Sequence, residues 1–329
     1  MRKKEIKMDK LRFKGIMLAI LGTTFWGVSG TIAEFLFKYN FTPEWLVVVR
    51  VLLSGILLLS YGLLKGDKGV KEILKNKKDV LTLISFGVLG ILGSQYTYFV
   101  AIRYGNAATA TILQYLSPVI ITCYVAFCSK KLPKKSQLLA ISLAIVGTFF
   151  IITKGNINSL SISKETLLGG LCSAAAGALY TLQPANLLKK YSAITVIGWG
   201  MIIGGIAFSF INPPWQFTGT WSVETVSAVG FVVIFGTLFA YCCYLGSLNY
   251  IQATETSILG AFEPLSAAFL SVIWLKNPFG IWDFIGTACI IITTVILAYS
   301  KKDDEKELVE NDEEEGFESV DTDKSKQYI

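Results

Sequence analysis

Between Phe13 and Ser300 the sequence is almost continuously apolar. Short polar segments divide it into ten runs, at about 14–37, 44–64, 80–102, 107–129, 135–153, 166–187, 193–211, 224–248, 253–275 and 280–299. Helical runs of ~17–25 residues match the hydrocarbon thickness of a bilayer. Backbone N–H and C=O groups find no water there, so each run is predicted to be a helix. The expected fold is an all-α polytopic membrane protein of ten transmembrane helices, with no soluble catalytic domain. Composition agrees: 16% of residues are charged, against about a quarter in soluble domains.

The net charge of +6 reads as a topology signal rather than a nucleic-acid one, because lysine and arginine collect on cytoplasmic loops. With the N-terminus inside, 24 of the 30 lysines and arginines fall on the inner side, 5 fall outside and Arg50 lies within a run. Both termini are therefore expected in the cytoplasm of a multi-pass plasma (cell) membrane protein. The basic start (Arg2, Lys3, Lys4, Lys7) resembles a signal peptide. Its apolar run is too long and nine more follow, so an uncleaved first helix is expected. Residues 301–329 hold twelve acidic side chains and little apolar content, which predicts a disordered cytoplasmic tail. The six cysteines all fall within apolar runs without a C-x-x-C pair, and read as small buried hydrophobes.

The chain also repeats itself at a spacing of 146. The segment from Tyr104 through Ala107, Ile112 and Leu113 to Pro118 returns as Tyr250 through Ala253, Ile258 and Leu259 to Pro264. Tyr98 falls on Tyr244 and Lys130 on Lys276 without a gap. Leu21 and Gly27 match Leu171 and Gly177 at a spacing of 150. Each half holds five runs, so the second half enters the membrane from the opposite side. Two inverted five-helix repeats are expected, residues 1–153 and 166–300, a layout associated with transport at the interface of the halves.

Small residues recur on the runs: Gly87, Gly90 and Gly93; Ser173 and Gly177; Gly200 and Gly204. They read first as close-packed helix crossings, and second as walls of a cleft. Pro118, Pro184 and Pro264 lie deep within runs. Each removes a backbone hydrogen bond, which membrane helices tolerate where protein or a wet cavity satisfies the freed group. A packing kink and a functional hinge are both open for them.

Ionisable side chains within a membrane are costly and face the interior. Glu263 precedes Pro264, and its first-half equivalent is Ser117. Arg50 lies about seven residues into the second run and Glu34 near the outer end of the first, at comparable depth. An Arg50–Glu34 ion pair, or a shared grip on a charged substrate, is the expectation. Gln95, Tyr96, Tyr98, Gln114, Tyr180, Gln183, Tyr241 and Tyr244 add the aromatic rings and amides that a pocket for a small organic solute needs. Glu255, near an inner helix end, reads as solvated.

The chain has no histidine, which excludes histidine metal sites, Ser-His-Asp hydrolysis and histidine proton relays. It has no G-x-x-x-x-G-K-[ST] segment and so no ATP site of that type. No cofactor or metal is expected. A proton or ion gradient would have to act through a carboxylate, for which Glu263 is the candidate.

Trp26-Gly27, Pro43 with Arg50, Pro118, Glu263-Pro264-Leu265, Gly147 and Gly286, together with the ten-run duplicated pattern, make residues 14–299 resemble the EamA-type transporters of the drug/metabolite transporter superfamily. The resemblance implies a ten-helix basket around a central cavity and secondary transport of metabolites, often outward, such as amino acids or nucleosides. It adds Trp26 to the cavity residues. The family commonly has a glutamate just after the fourth and ninth helices; this chain has Lys130-Lys131 and Lys276-Asn277 there. The expected function is secondary export of a small metabolite by alternating access, with a small-molecule substrate and membrane lipids as partners and no nucleic acid. The expected site is Glu263, Arg50, Glu34, Gln95, Tyr98, Gln114, Tyr180, Tyr244, Pro118, Pro264 and Trp26. An importer or exchanger of the same fold, a lipid-modifying membrane enzyme and a passive channel are the alternatives. An enzyme of that kind would want clustered Asp or His near a membrane surface, which the core lacks.

Overall fold

The computed structural model describes residues 2–130, 132–156 and 160–300, with side chains from residue 11. The acidic segment from 301 onward, expected to be disordered, lies outside the described residues. Among the described residues all regular structure is helical. The main helices are α1 (Arg2–Lys38), α2 (Pro43–Leu64), α3 (Lys77–Tyr104), α4 (Ala107–Ser129), α5 (Lys135–Thr153), α6 (Lys164–Leu182), α7 (Ala193–Ser209), α8 (Val223–Ser247), α9 (Ala253–Ile273) and α10 (Ile281–Ser300).

Polar caps set where these helices begin. Thr42 accepts from the Trp45 N–H with Pro43 in the first turn of α2. Asn106 accepts from Thr109 at the start of α4, and Ser163, Ser192 and Ser222 cap α6, α7 and α8 in the same way. Each cap satisfies an otherwise unpaired amide of the first turn.

Among the described residues, eight helices are long and apolar enough to cross a membrane, α1 through its stretch Leu11–Lys38. The expectation was ten. Helix α7 is apolar but only 17 residues long. Helix α6 spans 19 residues, but Gly169, Gly170, Ser173 and Gly177 dilute its hydropathy. Those small residues serve packing: Ser173 is fully buried and its hydroxyl donates to the Ser94 carbonyl of α3 at 3.1 Å.

Close helix crossings follow the glycines. A Cβ on Gly87 would lie 2.6 Å from the Gly200 carbonyl, and one on Gly204 2.6 Å from the Gly87 carbonyl, so α3 and α7 touch backbone to backbone. Helices α5 and α10 cross at Gly147 and Gly286, each facing the other's carbonyl oxygen. Such contact supplies attraction where lipid removes the hydrophobic drive between helices.

Irregularities recur at matching positions. Helix α3 widens into a π segment at Phe86–Leu92 and α8 at Ile234–Phe239, close to the 146 spacing. Helix α4 breaks at Tyr115–Leu116 before Pro118, and α9 breaks at Gly260–Ala261 before Pro264. Helix α6 ends at Leu182, with Pro184 turning the chain into a short helix, Ala185–Leu188. All three deep prolines therefore begin a new helical segment rather than kink a continuous one.

The main core joins α1, α2, α3, α7 and α8 around Leu36, Phe41, Trp45, Phe86 and Phe99. The cysteines do not belong to it. Cys123, Cys128 and Cys172 are exposed and Cys242, Cys243 and Cys289 partly so, which corrects the expectation of burial. In a membrane a small apolar side chain can face acyl chains as readily as the bundle interior.

Candidate functional site

A cavity of about 1140 Å³ lies among the helices. Both halves of the sequence build its wall. Thr23 and Trp26 come from α1, Arg50 from α2, Gln95 and Tyr98 from α3, and Gln114, Tyr115, Ser117 and Pro118 from α4. Gly177 and Tyr180 come from α6, Tyr241 and Tyr244 from α8, and Ser257, Gly260 and Glu263 from α9. At one end it reaches Ser129, Leu132, Pro133, Lys134 and Gln137, the α4–α5 connection.

The proline breaks aim two groups into this space. The Tyr115 hydroxyl lies 2.6 Å from the Gly260 carbonyl and 3.1 Å from a Glu263 carboxylate oxygen. Gly27 lets α1 approach so closely that a Cβ there would overlap the Glu263 carbonyl and the Ser266 hydroxyl. The matching residue Gly177 faces Ser117, the position equivalent to Glu263. Glutamate is thus held in one half where serine stands in the other.

Arg50 is held by the π segment of α8. Its Nε donates to Thr237 Oγ1 at 2.6 Å and its Nη2 to the Gly236 carbonyl at 3.0 Å. Ser54, one turn on, donates to the Val233 carbonyl at 3.1 Å. A π turn widens the helix and misaligns its carbonyls, and α2 supplies the donors. The guanidinium also lies over the Phe99 ring, 5.2 Å from its centre.

Aromatic rings surround the middle. Trp26 packs on Tyr241 at 5.1 Å and on Tyr244 at 5.0 Å between centroids. The Tyr180 hydroxyl donates to that of Tyr241 at 3.3 Å. Tyr98 shares a hydrogen bond with Thr111 at 2.8 Å. Gln114 donates to Ser94 at 3.1 Å and Ser173 at 2.8 Å, tying α4 to α3 and α6. Gln95 keeps a buried carbonyl oxygen without a hydrogen-bond partner.

Two expected site residues lie elsewhere. Pro264 is buried behind Glu263 and does not line the cavity. Glu34 does not reach Arg50, so the expected ion pair is not formed. One Glu34 oxygen accepts from the Ala107 N–H at 2.8 Å and the other from Asn277 Nδ2 at 2.6 Å. Lys38 stands 3.8 Å away. The physical reason is local: the start of α4 offers unpaired amides to an anion, whereas Arg50 finds a hydroxyl and a carbonyl partner on α8. Asn277, at one of the positions where glutamate was expected, serves as a donor to Glu34. Glu255 is likewise paired, with Arg12 at 2.6 Å.

The Glu34 cluster, with Arg103 donating to the Phe37 and Phe41 carbonyls at 2.7 and 3.1 Å, lies at the start of α4, the end away from the α4–α5 connection. No residue of this cluster lines the cavity.

The family model of the EamA-like transporters matches twice, over residues 13–153 and 165–299. The chain belongs to the EamA-like transporter family. A Salmonella typhimurium protein named as an uncharacterized inner membrane transporter, YicL, is 35% identical over 88% of this chain and 96% of its own length. The Bacillus subtilis proteins YyaM and YetK, both named as uncharacterized transporters, are 23% and 27% identical over 86% and 77% of this chain, and over 93% and 78% of their own lengths. A crystal structure 16% identical in sequence matches with a TM-score of 0.57 over 88% of this chain and 96% of that one, which supports the fold alone. This EamA-like chain is therefore a multi-pass membrane transporter.

Sequence reasoning overlooked Tyr115, Thr23 and Thr237. Tyr115 had a signal, since it stands two residues before Ser117, the position equivalent to Glu263. Thr237 had none, because a π turn is not readable from apolar residues alone.

Proposed function

We propose that this EamA-like protein is a secondary transporter that exports a small metabolite by alternating access, with the central cavity as its substrate site. The observation that carries this reading is a cavity walled by both halves of the sequence, reaching the α4–α5 connection at one end and not extending to the Glu34 cluster at the other. Ten membrane helices, with α6 and α7 as spans beside the eight apolar ones, form two inverted repeats of five. The matching breaks before Pro118 and Pro264 and the paired π turns support that symmetry. The lysine-rich loops support a cytoplasmic side for the α4–α5 connection and both termini of a cell-membrane protein. The conformation is then inward-facing, and export begins with capture from the cytoplasm.

Glu263 couples transport to a gradient in this reading. The Tyr115 hydroxyl has one proton and two acceptors, the Gly260 carbonyl and Glu263. When Glu263 takes up a proton it can itself donate to Tyr115, leaving Tyr115 to bond Gly260 alone. The hydrogen bonding across the α4 and α9 breaks changes with that proton. Arg50, Gln95, Tyr98, Gln114, Tyr180, Tyr244, Pro118 and Trp26 contact the solute. Glu34 and Pro264 act on the framework.

The test is to express wild type, Glu263→Gln and an empty vector in a bacterial host and to compare extracellular metabolites by mass spectrometry. A solute that accumulates outside only with wild type supports coupled export and names the substrate. Equal profiles in all three, with both proteins inserted, contradict export from that host.

A further inference from the structure

The segment joining α7 to α8 has a composition unlike any other loop of the chain. Residues 210–223 contain no charged side chain, and they hold two of the seven tryptophans and two phenylalanines. The segment folds over the α1–α2 connection, at the end of the bundle where Glu34 lies. The Thr220 N–H donates to the Tyr39 carbonyl at 2.9 Å, and Trp45 Nε1 to the Pro214 carbonyl at 3.0 Å. Gly219 has a φ of +84°, and a side chain there would run into the Phe41 ring. Trp221 packs edge-on against Phe41 and Trp45 at 5.0 and 5.4 Å.

Its other face is bare. Phe210, Trp215 and Phe217 are 86%, 71% and 72% exposed. A loop tied down by these two hydrogen bonds and the Trp221 ring contacts still turns three large apolar side chains outward.

The length of α7 says what covers them. Its 17 residues span about 25 Å at 1.5 Å per residue, while the hydrocarbon layer is about 30 Å thick. Apolar residues continue past the last helical residue of α7, where Phe210 and Ile211 form a turn. Trp215 and Phe217 then sit at headgroup level, where amphipathic aromatic rings are favoured. Trp274 and Trp282 lie exposed at the same end of the bundle.

We infer that residues 210–223 form a membrane-interface anchor, seated in the headgroup region of the leaflet next to the Glu34 cluster. It takes phospholipid as its partner and holds the outer ends of α1 and α2 at the membrane surface. The inference rests on the proposed reading of α7 as a membrane span, and not on the identity of the substrate.

The experiment uses full-length protein in phosphatidylcholine vesicles whose acyl chains are brominated near the headgroup. Fluorescence is compared between wild type and Trp215→Phe, so that the difference is the emission of Trp215. The anchor predicts a blue-shifted difference emission that bromolipid quenches and aqueous iodide leaves nearly intact. Iodide quenching of that emission, with bromolipid still quenching the remaining tryptophans, overturns the anchor while leaving the membrane protein in place. Protection from both quenchers also overturns it, because protein rather than lipid would then cover the loop. Failure of bromolipid to quench any tryptophan would overturn the membrane-span reading as well. A spin label on Trp215→Cys, with the six native cysteines replaced, gives an independent readout: greater collision with oxygen than with a water-soluble nickel complex is expected, and the reverse contradicts the anchor.

Discussion

The Tyr115 hydroxyl and the Glu263 carboxylate meet at 3.1 Å, although they stand 148 residues apart. Each sits at the break of a proline-interrupted helix, one in either half of the chain. A carboxyl that gains or loses a proton there alters a bond across the two breaks, and the coupling proposal rests on this relationship.

Glu263→Gln keeps the size of the side chain and a hydrogen-bond partner for Tyr115, but not the titratable proton. Substrate exchange across proteoliposomes is expected to continue, while uphill transport driven by a pH gradient is lost. Equal gradient-driven transport by wild type and variant would remove Glu263 from coupling.

Arg50→Ala removes the buried donors that bond the Gly236 carbonyl and the Thr237 hydroxyl of the π segment of α8. A buried group without its partner costs about 1–3 kcal/mol, so the thermal midpoint in detergent should fall clearly. Thr237→Val, which keeps the Gly236 bond, should cost less. An unchanged midpoint for Arg50→Ala would show that the π turn is held by other means.

Gly87→Leu places a side chain against the Gly200 backbone. Overpacking of this kind costs about 1–3 kcal/mol, and here backbone rather than a flexible side chain must yield. Reduced melting and reduced yield of folded protein are expected. At Gly230, where a Cβ would meet nothing within 4 Å, the same substitution should be tolerated.

Asp67, outside the helices, accepts from Ser192 Oγ, Thr195 Oγ1 and the Gly69 N–H at 2.5, 2.8 and 2.9 Å. Those bonds, led by that of Ser192, hold its carboxyl below the usual carboxylate range against a smaller opposing effect of burial. A depressed native value means that this contribution is present above the unfolded value, about 3.9, and is lost as pH falls through the native one. Asp67→Asn should therefore flatten the acid limb of a melting-versus-pH curve. Identical limbs for the two proteins would contradict the assignment.

Much of this molecule was legible in the sequence because lipid leaves few choices. Apolar runs had to be helices, and nine of the eleven expected site residues line one cavity. The repeat drew attention to Pro118 and Pro264, and both follow helix breaks. What could not be read was pairing. Glu34 and Arg50 stand at comparable depth, yet Glu34 turns to the amide of Ala107 and Arg50 to the carbonyl of Gly236. Depth along a helix does not give direction around it, and the π turn that attracts Arg50 leaves no mark in residue type. The weak apolarity of α6 has a packing reason that only its neighbours reveal, since Ser173 and Gly177 meet α3 and α4.

The central claim is that one cavity opens in turn to the two sides of the membrane. The most direct measurement replaces Gln114 with cysteine on a cysteine-free background and labels it with a membrane-impermeant thiol reagent, from each side in turn. The account predicts labelling from the α4–α5 side at rest, with access from the opposite side gained when Asn277→Ala removes one of the two hydrogen bonds that hold Glu34. Labelling from one side only, in both proteins, would contradict alternating access at this cavity.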